Sequence, residues 1–273
     1  MRAVVRKQHS ELSFFTTGDG CQIAYRLDGA VGQPVLVLSN SIGTDLHMWD
    51  AQIEPLSKHF RVLRYDARGH GASDAPAEPY SMDRMGRDVV ELLDALGIGR
   101  VHFCGLSLGG FVGQWLGIHA PERVGRLILC NTSSFLGPPA QFDARIALVL
   151  EVGDLSEIAA TFLRNWFPSH MLEAGGPVVE EFRSVLLATH PRGFAGSYAG
   201  LRDTDLRRTV ALIQAPTLVI AGRYDTVTSL GHGELLAATV PGARLLVLPA
   251  VHLSNVEYPE EFMAAVLEFL GVP

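Results

Sequence analysis

The chain has 273 residues, 48% hydrophobic and 19% charged, which supplies a buried core and excludes a disordered chain or a charge-rich coiled coil. Its 22 Lys and Arg against 29 Asp and Glu leave a net charge of −7, so neither nucleic acid nor an anionic membrane is an expected partner. Runs such as PVLVLS and APTLVIAG are far too short to span a bilayer, and the charged start MRAVVRKQHSELSFF lacks the apolar stretch of a signal peptide. Cys21, Cys104 and Cys130 lie far apart among apolar neighbours, without zinc-type spacing, and are expected as buried free thiols in a reducing compartment. A soluble, cytoplasmic protein of one large domain or two small ones is the expectation.

Taken in chain order, short β-rich runs alternate with helical patterns. The runs at 13–17 and 22–27 alternate in polarity and are joined by the turn-rich TTGDGC, which predicts an antiparallel hairpin at a sheet edge. Further runs follow at 34–38, 61–65, 101–104, 127–130, 217–221 and 245–248. The later ones are nearly unbroken Val, Ile and Leu, as parallel strands buried on both faces require. Met82, Met85, Val89, Leu92, Leu93 and Leu96 recur at helical spacing behind Ser81, a candidate cap. The segment 259–270 opens with Pro and two Glu and stops at Gly271, a second well-bounded helix. Such alternation predicts an α/β fold: a mostly parallel eight-stranded sheet with helices on both faces.

Residues 133–200 break the alternation. They hold helical segments at 144–150, 155–166 and 178–187, with breakers at Pro138, Pro139, Pro168, Gly175, Gly176, Pro177 and Pro191. A helical lid inserted into a core of 1–132 and 201–273 is expected.

The chemistry begins at Gly105-Leu106-Ser107-Leu108-Gly109, which follows the apolar run from Val101 and precedes a helical pattern. A serine on so sharp a strand-to-helix turn holds its hydroxyl clear of the sheet, and the small neighbours let the backbone crowd. This marks Ser107 as a nucleophile. The motif predicts the order serine, acid, histidine. His252 follows the last strand and precedes the final helix, the position a base needs; the other histidines precede Ser107, follow it too closely, or fall in the lid or a helix. Asp225 lies in the loop that follows TLVIAG and is the expected acid, ahead of its rivals Asp203 and Asp205 in a polar segment before that strand. Oxyanion donors are expected at the backbone N–H groups of Leu108, at the start of the helix, and Ile42, in the loop after the third strand. The glycine-rich stretch from Tyr65 to Asp74 lacks phosphate-loop spacing, and no His, Asp and Glu cluster has metal spacing, so no metal is expected.

With that order in place, the chain resembles the α/β-hydrolase superfamily from end to end, and within it the 3-oxoadipate enol-lactonases. The segment from Leu38 to Asp50, with Ser39-Asn40-Ser41 in place of the commoner His-Gly, carries the resemblance. So do Asn131-Thr132-Ser133, Arg164-Asn165-Trp166-Phe167, the run from Tyr198 to Arg207, and His252-Leu253-Ser254-Asn255. The resemblance implies the α/β-hydrolase fold with a helical cap, no cofactor, and a small-molecule lactone as substrate, opened to 3-oxoadipate in aromatic-acid breakdown. That substrate carries a carboxylate, which a net charge of −7 does not attract. A local cation is therefore needed; Arg164 is the expected anchor, with Trp166 as an apolar wall. Competing readings are a broad carboxylesterase, a carbon–carbon bond hydrolase and a ligand sensor that does not turn over.

Overall fold

A computed structural model describes residues 11–272; residues 1–10, which hold most of the charged start and His9, lie outside the described residues. The strands are β1 (Ser13–Thr16), β2 (Gln22–Asp28), β3 (Val35–Ser39), β4 (Arg61–Tyr65), β5 (Val101–Leu106), β6 (Val124–Cys130), β7 (Thr217–Gly222) and β8 (Arg244–Leu248). They form one sheet in the order β1-β2-β4-β3-β5-β6-β7-β8. β1 and β2 make the expected edge hairpin, β2 also runs antiparallel to β4, and every other neighbouring pair is parallel. All six residues of β7 are buried, which is why its sequence shows no polar alternation.

Helices α1 (Asp50–Ser57), α2 (Met82–Ala95) and α3 (Leu108–His119) connect the early strands. Ser81 caps α2 by accepting the Arg84 N–H at 3.1 Å, and Met82, Met85, Val89, Leu92 and Leu93 form its buried stripe. Next come α4 (Pro139–Val152), α5 (Ser156–Trp166), α6 (Ser169–Ala174), α7 (Pro177–Ala188) and α8 (Pro191–Arg202), all between β6 and β7. The chain closes with α9 (Leu230–Thr239), α10 (Ser254–Glu257) and α11 (Pro259–Leu270). Strand alternation puts helices on both faces. Leu127 meets the positions of Gly113 and Gly117 on α3, whereas the adjacent Arg126 donates to the Phe269 carbonyl at the end of α11.

The breakers expected at 133–200 are helix boundaries. Pro139, Pro177 and Pro191 each occupy a first helical turn, and Gly175 ends α6 at φ 58°. Two helices, α6 and α8, go beyond the segments read from sequence, and α8 runs past residue 200. The reason is tertiary packing. Three glycines lower the helix propensity of α8, yet they let it sit against the core: a Cβ on Gly193 would lie 2.3 Å from the Gly69 carbonyl oxygen, and one on Gly196 would lie 2.8 Å from the Tyr80 ring. Cys21, Cys104 and Cys130 are buried and free, with the Cys104 and Cys130 sulfurs 3.8 Å apart.

This docking makes a direct prediction. Gly193→Ala should cost about 2 kcal/mol and lower Tm by about 5 °C in thermal denaturation. Gly176→Ala, whose added Cβ meets nothing within 4 Å, should stay within about 0.5 kcal/mol of the parent.

Candidate active site

Ser107 stands between β5 and α3 with φ 56° and ψ −113°, a conformation strained for any side chain larger than glycine. The turn is this tight because nothing fills the space beneath it: a Cβ on Gly105 would lie 2.1 Å from the Gly109 carbonyl oxygen, and one on Gly109 would lie 2.2 Å from that of Ser39. Besides the first-turn bonds of α3 to its carbonyl, two bonds to the end of β6 hold the strained residue: its N–H donates to the Cys130 carbonyl at 3.0 Å, and the Thr132 hydroxyl donates to its carbonyl at 2.8 Å.

Asp225 and His252 follow β7 and β8, and His252 lines the same cavity as Ser107. The His252 Nδ1–H donates to Asp225 Oδ2 at 2.8 Å, with both side chains almost fully buried. Asp225 Oδ1 accepts the N–H groups of Val227 at 2.8 Å and Thr228 at 3.0 Å. Oδ2 also accepts from the Thr228 hydroxyl at 2.8 Å and the Asn131 amide at 3.1 Å. Burial pushes the Asp225 pKa up, but the nearby His252 charge and the hydrogen bonds from His252, Asn131 and Thr228 outweigh it and hold the pKa at about 2. An ionised Asp225 fixes the proton on Nδ1 and leaves Nε2 as the lone-pair nitrogen. The rivals are elsewhere: Asp203 pairs with Arg202, and Asp205 with Arg207, on the surface.

The loop after β3 is fastened by Asn40. Its amide donates to the Tyr65 carbonyl at 3.0 Å, its side-chain oxygen accepts the Trp49 indole N–H at 2.9 Å, and its backbone carbonyl accepts the Gly109 N–H at 3.0 Å. Among the described residues, no protein group accepts the N–H of Ile42 or of Leu108.

Ser107, His252 and Ile42 open onto one cavity of about 170 Å³, walled by α4, α5 and α8 and by Thr226 and Val227. Trp166 forms part of that wall, packed edge-on against Phe162 at 5.4 Å. Arg164 does not reach the cavity. It is exposed, donates to the Thr161 hydroxyl at 3.0 Å, and faces an outer groove beside Tyr224 and His170. Residues two apart on a helix point to nearly opposite sides, so α5 cannot present both Arg164 and Trp166 to one space. Instead Arg145 of α4 lines the cavity. It donates to the Tyr198 hydroxyl at 3.2 Å and has no carboxylate partner among the described residues. Sequence reasoning passed over Arg145, whose one signal is a lone Arg on an otherwise apolar stretch of lid helix. It also passed over Thr228.

Comparison with known proteins places the chain. Residues 34–259 match the family model described as the alpha/beta hydrolase fold. The chain belongs to the alpha/beta hydrolase family. It is 40% identical to 3-oxoadipate enol-lactonase 2 of Acinetobacter baylyi, over 92% of this chain and 93% of that one. It is also 34% identical to RutD, a protein of Pseudomonas savastanoi pv. phaseolicola named for carbamate hydrolysis, over 87% of this chain and 94% of that one. Among solved structures, a hydrolase from Pseudomonas aeruginosa PA01 shares 64% identity at a TM-score of 0.94, covering 96% of this chain and 98% of its own. The enol-lactonase of Burkholderia xenovorans LB400 shares 38% at 0.92, covering 95% and 100%.

No cluster of three or more His, Cys, Asp and Glu among the described residues could hold a metal, and no described helix is long and apolar enough to cross a membrane. For this hydrolase-family chain, the buried acid has a consequence for stability. Asp225 is held at about 2, below its ordinary 3.8, so its contribution is full above about pH 4 and is lost as pH falls through 2. The gap corresponds to about 2 kcal/mol. Urea unfolding between pH 4 and pH 2 should therefore show a flatter pH dependence in Asp225→Asn than in the parent.

Proposed function

We propose that the protein hydrolyses small carboxylate-bearing enol-lactones, 3-oxoadipate enol-lactone foremost, through an acyl-enzyme on Ser107. The observation that carries this reading is the buried Asp225–His252 pair opening, with Ser107, onto a cavity that also holds the unpaired cation Arg145. The similarity to enol-lactonases over most of the chain supports the choice of substrate.

In this reading His252 takes the Ser107 hydroxyl proton through Nε2 as Oγ attacks the lactone carbonyl, and Asp225 stabilises the imidazolium. The N–H groups of Ile42 and Leu108 hold the oxyanion, each contributing about 3 kcal/mol. The ring C–O bond breaks, and the tethered leaving oxygen departs as an enol that ketonises. An enol leaves more readily than a simple alkoxide and asks less of His252 as acid. Water activated by His252 then frees the product from Ser107. At about 170 Å³ the cavity is smaller than sites for drug-sized ligands, which favours a compact acid over a long acyl chain. Helices α4–α8 act as the cap that encloses this space.

RutD is similar enough to keep a second reading alive, in which the same groups attack a small carbamate. Purified protein should consume 3-oxoadipate enol-lactone, generated in situ, with a kcat/KM far above that for p-nitrophenyl acetate or a carbamate, and Ser107→Ala should abolish it. Turnover of the carbamate or ester without the lactone would overturn the substrate assignment. Binding of lactone without turnover would mark a sensor. Losing one charge-assisted hydrogen bond costs about 1.5–3 kcal/mol, so Arg145→Ala should raise KM for the lactone about 10- to 100-fold. It should leave the neutral ester unaffected, and Arg164→Ala should change neither.

A further inference from the structure

Asn131 directly follows β6, with its side chain buried and its backbone at φ 41°, in the left-handed region. Its Nδ2 donates to Asp225 Oδ2 at 3.1 Å and to the Val251 carbonyl at 3.1 Å, while the Ser254 hydroxyl donates to its Oδ1 at 2.6 Å. A carboxylate and a carbonyl only accept, which fixes the amide orientation. Both donor hydrogens and the oxygen are thus used, and the partners come from both loops that carry the acid and the base. Space is kept clear for it: a Cβ on Gly222 would lie 2.9 Å from Asn131 Nδ2 and 2.5 Å from the Val251 carbonyl oxygen. The next residue, Thr132, holds the Ser107 carbonyl. One dipeptide therefore touches all three loops of the site.

We propose that Asn131 is a positioning residue whose amide aims and moderates the Asp225 carboxylate, and thereby sets the strength of its bond to His252 and the acid limb of the activity profile. The proposal rests on the roles given above to Ser107, Asp225 and His252. Three side-chain donors, from Asn131, Thr228 and His252, converge on Asp225 Oδ2. Each draws on the same negative charge. Removing the Asn131 amide leaves Thr228 and the backbone N–H groups to hold the carboxylate in place, but returns charge to the His252 bond. The strengthened Asp225–His252 bond should then move the acid limb of the activity profile to higher pH. No other residue at this position supplies two donors and one acceptor in so short a side chain: Asp would set a second carboxylate against Asp225, and Leu would leave the Val251 carbonyl and Ser254 hydroxyl unpaired. Charged or titratable groups near the pair include Arg223 and Tyr224, whose N–H groups donate to the Leu248 and Ala250 carbonyls, Glu257, which accepts the Val251 N–H, His170 acting on Glu257, and Arg145 across the cavity; the substitution replaces none of them.

The test is the acid limb of kcat/KM against pH, measured with p-nitrophenyl acetate and with the lactone. Asn131→Gly removes the amide while tolerating the left-handed backbone. Its limb is expected to move up by about half a pH unit or more, with activity approaching the parent's on the alkaline side. A uniform loss at every pH with the limb unmoved would overturn the proposal and leave Asn131 with a structural role alone. Should Asn131→Gly fail to fold, Ser254→Ala decides: it frees the Asn131 amide without touching Asp225, and should shift the limb in the same direction by less. An unmoved limb there overturns the proposal equally. Ser107→Ala separates the two levels: if it retains activity, the assignment of the nucleophile fails and this inference falls with it. If it is inactive and the limb is unmoved, only the role of Asn131 fails.

Discussion

Everything at the site depends on how closely α3 approaches the ends of β3 and β5. With a side chain at Gly105 or Gly109 the helix would have to move outward, because each added carbon would sit little more than 2 Å from a backbone oxygen. Moving it would relax Ser107, turn the Leu108 N–H away from its place at the helix start, and break the Gly109 bond that ties the helix to Asn40. A single steric allowance therefore couples the proposed nucleophile to both proposed oxyanion donors. The strain at Ser107, about 1–3 kcal/mol, is of the same order as two hydrogen bonds to its backbone. Those bonds come from Cys130 and Thr132, so the end of β6 supports the turn from the side.

The same end of β6 carries the coupling across to the proposed acid and base. Parallel strands put all their C-terminal ends on one edge of the sheet, so loops far apart in sequence become neighbours without any long excursion. Asn131 and Thr132 exploit this by pairing with residues 94 and 25 positions away. Satisfying every polar atom matters here because the network is buried, where an unmatched donor costs far more than a matched one returns.

How much of this was legible in the sequence follows from which forces write a local pattern. Strands buried on both faces must be apolar throughout, so β5, β6 and β7 announce themselves. The turn at Ser107 is legible because its glycines are demanded by sterics. Asp225 and His252 are legible because strand-end loops follow the strands. What is obscured is anything decided by packing between distant segments. In α8, glycines that weaken a free helix are what allow it to touch Gly69 and Tyr80. Arg145 and Asn131 acquire their surroundings only once the chain has folded. Arg164 shows the opposite error: an attractive residue type in a matching segment, but on the wrong side of its helix relative to Trp166.

On the proposed reading, Arg145 also answers the electrostatic difficulty of a protein with net charge −7 acting on an anion. Long-range attraction is not available, and at physiological salt it would fade within about 8 Å in any case. A cation at close range, half-buried beside aromatic walls, acts in a lower effective dielectric than one on the surface. Arg164 in its exposed groove lacks that advantage. Arg202, Arg207 and Arg244 are each engaged by a carboxylate, so they offer an incoming anion little. Arg145 leans on the neutral hydroxyl of Tyr198 instead, which orients the guanidinium without neutralising it. Selection of a carboxylate, as proposed, then rests on where one charge is placed, not on the charge of the whole molecule.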